Sequence, residues 1–259
     1  MKQIKFYKYQ GTGNDFILID NRKGFVKLSS KKIALLCNRN FGIGADGLML
    51  LQNKKGYDFE MVYFNSDGNK SSMCGNGGRC IVMFAYNLNI IKQNVFFWAP
   101  DGAHRAEIKK DSVKLKMIDC ALPVSVNKDH FIDTGSPHYV KFSDQLNKLD
   151  VYVEGKKIRY NKRFADKGTN VNFVDELKDG TIAVRTYERG VEDETLSCGT
   201  GVTAAAIVYS SINNYKFSKV NIETAGGKLQ VFFRKMQEGL NDVWLLGKAE
   251  KTFEGTITI

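Results

Sequence analysis

Tyr63 to Val82 reads YFNSDGNKSSMCGNGGRCIV, and Thr186 to Ala206 reads TYERGVEDETLSCGTGVTAAA. Each passage runs from a strand-like segment through a polar loop to a Cys-Gly-x-Gly turn, and then into an apolar helix. The likeness continues downstream. Val95 to Ile108 (VFFWAPDGAHRAEI) and Val220 to Phe233 (VNIETAGGKLQVFF) are both strand, Gly turn, strand, about equally far beyond the two cysteines. Upstream, Gly11 to Asp20 (GTGNDFILID) has a weaker partner in Gly135 to Asp144. This ordered series points to an internal duplication with a repeat of about 125 residues, too long for a solenoid unit and the right size for two similar domains. The join is expected near Asp119, giving halves 1–119 and 120–251. The alternating segment 252–259 is expected to cross back and complete the first half. No Pro- or Gly-rich linker marks the join, so closely packed domains with a site in the cleft between them are expected.

The rest of the chain reads mostly as short strands, among them Ile4 to Tyr9, Phe16 to Asp20, Leu48 to Leu51, Val113 to Ile118, Val171 to Val174 and Ile182 to Tyr187. Three helices interrupt them. One spans Lys31 to Cys37 behind a Ser29 or Ser30 cap, and the others are expected over Gly77 to Leu88 and Gly201 to Ile212. The chain has 259 residues, 43% of them apolar and 25% charged, which excludes disorder and low-complexity arrays. The longest apolar runs, such as Ala204 to Tyr209, fall far below the roughly 18 residues of a membrane span. Met1 to Gln10 has no continuous apolar core and no small-residue cleavage site, so a cytoplasmic protein is expected.

The net charge of +10 comes mostly from lysines scattered in ones and twos. Without a dense basic cluster interleaved with aromatics, nucleic acid is not an expected partner; the charge reads as a solvated surface that also attracts acidic small molecules. Five cysteines, Cys37, Cys74, Cys80, Cys120 and Cys198, form an odd and widely spaced set, so reduced thiols are expected rather than a disulfide framework. No C-x-x-C pair exists, and His104, His130 and His138 have no metal-ligand spacing, so no metal is expected. Gly42 to Gly47 (GIGADG) matches the letters of the dinucleotide fingerprint, but a helix precedes it and a strand follows, the reverse of what that site needs. No cofactor is expected.

A Cys just before Gly-x-Gly at a helix start occupies a distinctive place. The first helical amides have no internal partner, and the helix dipole favours negative charge there. Such a place lowers a thiol pKa, and the same amides bind a carboxylate. One such element offers a thiol beside a carboxylate cradle, and this chain has two: Cys74 with Gly75 and Asn76, and Cys198 with Gly199 and Thr200. A lone Cys-Gly pair is ordinarily a packed turn; the duplication and the absence of any cofactor motif favour chemistry. If one thiolate removes a proton next to a carboxylate and the other thiol returns one to the opposite face, the centre inverts without a cofactor. Cys37 and Cys120 read as core thiols, and Cys80 as a packing residue.

GTGNDF (Gly11 to Phe16), GIGADG, FNSDG (Phe64 to Gly68), MCGNGGRC (Met73 to Cys80), GSPH (Gly135 to His138), NVNF (Asn170 to Phe173), YERG (Tyr187 to Gly190) and SCGTG (Ser197 to Gly201) together resemble the diaminopimelate epimerase family. The match spans almost the whole chain in the same order. The resemblance implies an α+β fold of two pseudo-symmetric domains, each a mostly antiparallel sheet or barrel curled around a central helix. It also implies a pyridoxal-phosphate-independent isomerase interconverting LL- and meso-2,6-diaminopimelate in lysine and peptidoglycan precursor synthesis, and a homodimer. Cys74 and Cys198 would be the acid/base pair, Cys74 as donor and Cys198 as acceptor in the LL to meso direction. Gly75, Asn76, Gly199 and Thr200 would hold the reacting carboxylate, with Asn14 near the reacting ammonium. Asn65, Asn170, Glu188 and Arg189 would read the remote end of the substrate. A distal carboxylate suits the fork of Arg189 and a distal ammonium suits Glu188, but strand alternation sends the two to opposite sides, which leaves side-chain and backbone roles both open.

Two positions depart from the family pattern. Gly47 stands where some members carry Gln, and Ser136 where many carry Asn; Ser136 is expected to reach the distal carboxylate through a water. His138 reads either as a site-wall residue or as packing. Other readings stay open: a proline racemase-like or phenazine-type isomerase acting on another substrate, or a non-catalytic thiol redox or binding protein.

Overall fold

The structure, a computed structural model, describes residues Gln3–Thr258. Met1, Lys2 and Ile259, which belong to the segments expected to build the first half, lie outside the described residues. The elements in chain order begin with β1 (Gln3–Gly11), β2 (Asn14–Asp20), α1 (Ser30–Cys37), β3 (Gly47–Gln52), β4 (Glu60–Asn65), α2 (Gly75–Asn87), β5 (Asn94–Ala99), β6 (Gly102–Lys109) and β7 (Ser112–Lys116). They continue with β8 (Cys120–Ala121), β9 (Val124–Val126), β10 (Asp129–Asp133), β11 (Pro137–Phe142), α3 (Val151–Arg159), β12 (Asn170–Glu176), β13 (Thr181–Glu188) and β14 (Asp193–Thr195). The last are α4 (Gly199–Ile212), β15 (Lys219–Thr224), β16 (Gly227–Lys235), β17 (Gly239–Lys248) and β18 (Glu250–Thr258). The chain forms two compact units, one of residues up to Leu115 together with those from Gly247, the other of Lys116–Leu246.

The two units share one ladder order. In the first, β1 and β2 pair antiparallel, β2 and β3 parallel, β3 and β4 antiparallel, β4 and β5 parallel, and β5 and β6 antiparallel. In the second, β10–β11, β11–β12, β12–β13, β13–β15 and β15–β16 repeat that alternation step for step. The outer edge of β1 is covered by β18, with Gln3 opposite Thr258, as the outer edge of β10 is covered by β9. Antiparallel pairs predominate. This is the α+β architecture expected, and the parallel steps are where the chain must cross over, through α1 and α2 in the first unit and α3 and α4 in the second.

Each unit wraps a helix. Strands β1, β2, β3 and β18 pack on α2, and β10, β11, β12, β13, β15 and β16 pack on α4. Asn76 to Ala85 and Gly201 to Ser210 are buried throughout, which explains why VTAAAIVY shows no polar face: a helix inside a curled sheet has none to show. The outer faces carry their own cores, Ile4, Phe6, Ile17, Ile19, Ile33 and Leu36 in one unit and Tyr139, Leu146, Val151, Phe173 and Tyr187 in the other. Among the described residues no helix is long and apolar enough to cross a membrane.

Three details differ from expectation. Helices α2 and α4 start at Gly75 and Gly199, two residues earlier than expected, because the glycines that read as a turn are the first helical turn itself. Helix α3 was not expected: Gly155 and three β-branched residues hide its period, yet Asp150 caps it by accepting from Val153 N (2.9 Å). Gly155 is needed there, since a Cβ would come within 2.6 Å of the Tyr187 ring. Cys120 lies half-buried in β8 opposite Leu240 rather than in a core.

Candidate active site

The early helix starts place both thiols. Cys74 is the N-cap of α2, with extended backbone (φ −109°, ψ 137°), and its carbonyl accepts from Gly78 N at 2.7 Å. Cys198 is the N-cap of α4 (φ −114°, ψ 114°), and its carbonyl accepts from Val202 N at 2.9 Å. An N-cap side chain stands over the first unpaired helical amides, so each thiol sits beside the amides of the two residues expected to hold a carboxylate. No acidic residue occupies the first turn of either helix to compete for that place.

Around Cys74 the first unit assembles two motifs. The thiol donates to Asn14 Oδ1 at 3.7 Å, and Asn14 Nδ2 donates to Asp46 Oδ2 at 2.5 Å. Asn14 follows the tight turn at Thr12 and Gly13, both at positive φ (51° and 86°). The GIGADG loop therefore has a local task unrelated to nucleotides, supplying the carboxylate that orients Asn14. Asp46 is anchored by Arg39 (2.8 Å), which also pairs with Asp15 (2.7 Å), and Lys8 pairs with Asp15 and with the Gly44 carbonyl. Burial would raise the Asp15 pKa, but hydrogen bonds from Arg39 and Lys8 win and bring it to about 2. Asn65 ends β4, exposed, opposite Gly47. Any side chain at 47 would collide with the Phe64 carbonyl and the Tyr63 ring, both 2.6 Å from the place of a Cβ, so Tyr63 fills the space that Gly47 leaves.

Around Cys198 the second unit gathers hydroxyl and amide groups. Its sulfur lies 3.5 Å from Thr200 Oγ1, and Thr134 Oγ1 donates to the Thr200 carbonyl at 2.9 Å. Asn172, which sequence reasoning passed over, is the centre of a buried network. Its amide donates toward His138 Nδ1 and to the Tyr139 carbonyl, both at 3.1 Å, while its oxygen accepts from Thr186 Oγ1 at 3.0 Å. A Cβ on Gly201 would lie 3.2 Å from that of Cys198 and would overlap Asn172 Oδ1, so Gly201 lets the network touch the helix start. His138 is fully buried, and burial, aided by the Arg189 charge, lowers its pKa to about 3. It is a neutral ring at physiological pH, which makes it a packing and hydrogen-bonding group rather than a proton carrier.

Ser136, Asn170 and Arg189 form a cluster in the same unit. Asn170 Nδ2 donates to Ser136 Oγ (2.9 Å), Asn170 Oδ1 accepts from Arg189 N (2.9 Å), and Arg189 Nη2 donates to Ser136 Oγ (3.3 Å). Glu188 points the other way along β13, and its carboxylate accepts from Thr195 Oγ1 at 2.9 Å. Burial raises its pKa, partly offset by that hydroxyl. The remaining thiols are remote from such chemistry: burial pushes Cys37 and Cys120 up to about 11 and Cys80 further still. Among the described residues no group of three or more His, Cys, Asp or Glu side chains is placed to hold a metal.

Comparison with known proteins narrows what such an arrangement serves. Residues 6–121 and 130–251 match the family model of diaminopimelate epimerase. The diaminopimelate epimerase of Flavobacterium psychrophilum is 50% identical, with 98% of this chain and 100% of that protein covered. That of Chlorobaculum tepidum is 42% identical over 96% and 99%. Among solved structures, a phenazine biosynthesis protein of the PhzF family from Bacillus anthracis superposes with a TM-score of 0.76 at 12% identity, covering both chains fully, a likeness of fold alone. A family match across both units, relatives similar along their whole length and the shared two-domain fold agree: this chain is an isomerase of the diaminopimelate epimerase family.

Proposed function

We propose that the protein interconverts LL- and meso-2,6-diaminopimelate, in lysine and peptidoglycan precursor synthesis, by a two-thiol mechanism without cofactor. The observation that carries this reading is the pair of cysteines, each at the N-cap of a buried helix, in a chain of this family. The amides of Gly75 and Asn76, and those of Gly199 and Thr200, each suit a carboxylate, with a sulfur beside them suited to one face of the adjacent carbon. One thiolate takes the α-proton, the electron pair moves into the carboxylate as an enediolate stabilised by the helix dipoles, and the other thiol delivers its proton to the opposite face. In the LL to meso direction Cys198 is the acceptor and Cys74 the donor; the roles exchange in reverse. Asn14, pinned by Asp46, receives the reacting ammonium. The distal carboxylate meets Ser136, Asn170 and Arg189, whose hydrogen bonds to one another pre-set the fork. Glu188 and Asn65 complete the recognition of the distal ammonium end.

Five free cysteines are in keeping with work in the reducing cytoplasm, and family likeness favours a homodimer. The test is proton NMR of LL-diaminopimelate with reduced protein in deuterated water. Exchange of the α-hydrogen with appearance of the meso form is expected, falling at least about 10³-fold in Cys74→Ser and Cys198→Ser. Turnover of proline instead, or full activity in both variants, would sink the reading.

A further inference from the structure

One strongly buried charge has no part in this mechanism. Arg79, on α2 one turn beyond Cys74, is among the largest fully buried side chains of the protein, yet no carboxylate pairs with it among the described residues. Its Nη2 donates to Asn76 Oδ1 (2.9 Å) and Thr12 Oγ1 (3.1 Å), its Nη1 donates to the Gly75 carbonyl (3.3 Å), and its Nε has no hydrogen-bond partner among the described residues. A guanidinium shut away from water without a counter-ion is costly, and an apolar side chain would fill the same helix face more cheaply. The matching position in the second unit, Thr203, shows that the fold does not need a charge there: Thr203 donates to its own helix, at the Gly199 carbonyl.

What the fork touches explains its presence. Asn76 belongs to the helix start that carries Cys74, and Thr12 to the positive-φ turn leading into Asn14. The Gly11 backbone packs so closely on this cluster that a Cβ would lie 3.2 Å from the Asn76 carbonyl and 3.5 Å from Arg79 Nη2. We propose that Arg79 is a positioning residue: its planar fork locks the Thr12 turn to the helix start, and its unneutralised charge favours the Cys74 thiolate and the carboxylate beside it. The role rests on the two-thiol reading above. Of the titratable groups on elements against α2, β1 brings Tyr7 and Tyr9, packed on Phe84, with Lys5 and Lys8, and β2 brings Asp15, already held by Lys8 and Arg39, and Asp20, held by Arg22. From β18 come Glu254, paired with Lys5 and Lys251, and Glu250, paired with Lys248; β3 brings none, and Cys74, Cys80 and the exposed Tyr86 share the helix itself. Burial pushes the Arg79 pKa down, opposed by the neighbouring Cys80 and Cys74 sulfurs.

The test reads the thiol directly. Reduced full-length protein is treated with iodoacetamide across a pH series, and labelling of Cys74 is followed by peptide mass spectrometry, beside kcat/KM for diaminopimelate. In Arg79→Met the midpoint of Cys74 labelling should rise by about one pH unit. At the same time kcat/KM should fall at least about tenfold. Arg79→Lys should bring the midpoint back toward the parent's but leave kcat/KM low, because an ammonium keeps the charge and loses the fork. Near-UV circular dichroism establishes folding first; if Arg79→Met does not fold, Arg79→Gln takes its place. An unmoved midpoint in the folded, uncharged variant overturns the proposal whatever its activity, and so does full activity of Arg79→Lys. If the parent itself fails to turn over diaminopimelate, the substrate reading falls while the labelling series still decides the role of Arg79.

Discussion

The two units use one ladder order to present one element, a cysteine at a helix start, but they prepare it differently. The first surrounds Cys74 with charge: Arg79 beneath it, and Asp46, Asp15, Arg39 and Lys8 behind Asn14. Near Cys198 the second assembles hydroxyls, an amide and an uncharged imidazole: Thr200, Thr134, Asn172, Thr186 and His138. Duplication therefore preserved the backbone device and let the electrostatics diverge. A reaction whose substrate centres are mirror-related needs matched geometry on both sides, whereas the two thiols can be tuned separately.

The sharpest way to break the comparison is a matched pair of glycine substitutions. Gly201→Ala drives a methyl into Asn172 Oδ1, a tightly bonded group with little room to yield. It should cost about 2 kcal/mol of stability and lower kcat roughly 100-fold, measured by denaturant melts and steady-state kinetics. Gly77→Ala meets the flexible end of Met49, 3.0 Å from the new Cβ, and the Phe16 ring at an ordinary 3.5 Å, and the gain in helix propensity of about 1 kcal/mol offsets the contact. Its melting midpoint should stay close to the parent's; equal damage in the two variants would show that the halves are packed alike.

Next in size is Asp46→Ala, which removes the acceptor that fixes Asn14. The expected outcome is a kcat about tenfold lower with secondary structure intact, since the exposed Arg39 pair and the Asp15 N contact that go with it contribute little beside the hydrogen bond that orients Asn14. The same substitution should leave iodoacetamide labelling of Cys198 unchanged, which keeps the effect within one half-site.

The smallest effect separates the halves by pH. His138 has its folded pKa lowered to about 3, so the unfolded chain takes up a proton more readily, and stability present above its ordinary value near 6.5 is lost as the pH falls toward 3. Asp15, lowered to about 2, gives stability that is complete above about 4 and lost only below it. Glu188 works in the opposite sense, its raised pKa making the fold more stable once it is protonated. Between pH 6 and 4.5, hydrogen exchange should therefore show α4, β11 and β12 losing protection before α2, β1 and β2, and His138→Gln should narrow the gap. Simultaneous loss would mean that the buried imidazole is not the more acid-sensitive element.

The sequence carried the duplication, the two helices and the thiols because these rest on local order: Cys-Gly-x-Gly before an apolar run means the same thing wherever it is read. Side-chain networks were less legible. Asn172 looked like one more polar residue in a strand, and only the parallel pairing that puts Asn172 beside Val140, with His138 and Tyr139 just before it, reveals its partners. Arg79 stood in plain view within MCGNGGRC, and a charge inside an otherwise apolar helix was the available signal. Helix α3 was lost because Gly155 weakens the pattern locally while Tyr187, 32 positions later, is what demands it. Glu188 and Arg189 behaved as strand alternation requires, one turned to Thr195 and the other to Ser136.

The pairing of β1 with β18 joins residues some 250 positions apart, so the ribosome makes one edge of the first sheet long before the strand that covers it. The second unit, continuous in the chain, is synthesised whole in the interval. Until β18 emerges, β1 presents open backbone donors and acceptors, a template for pairing with other chains. Lysines at positions 5 and 8, set along that waiting strand, are the kind of residue that discourages such pairing while the nascent chain is incomplete. The order of birth thus runs opposite to the order of numbering: the half written first is the half finished last.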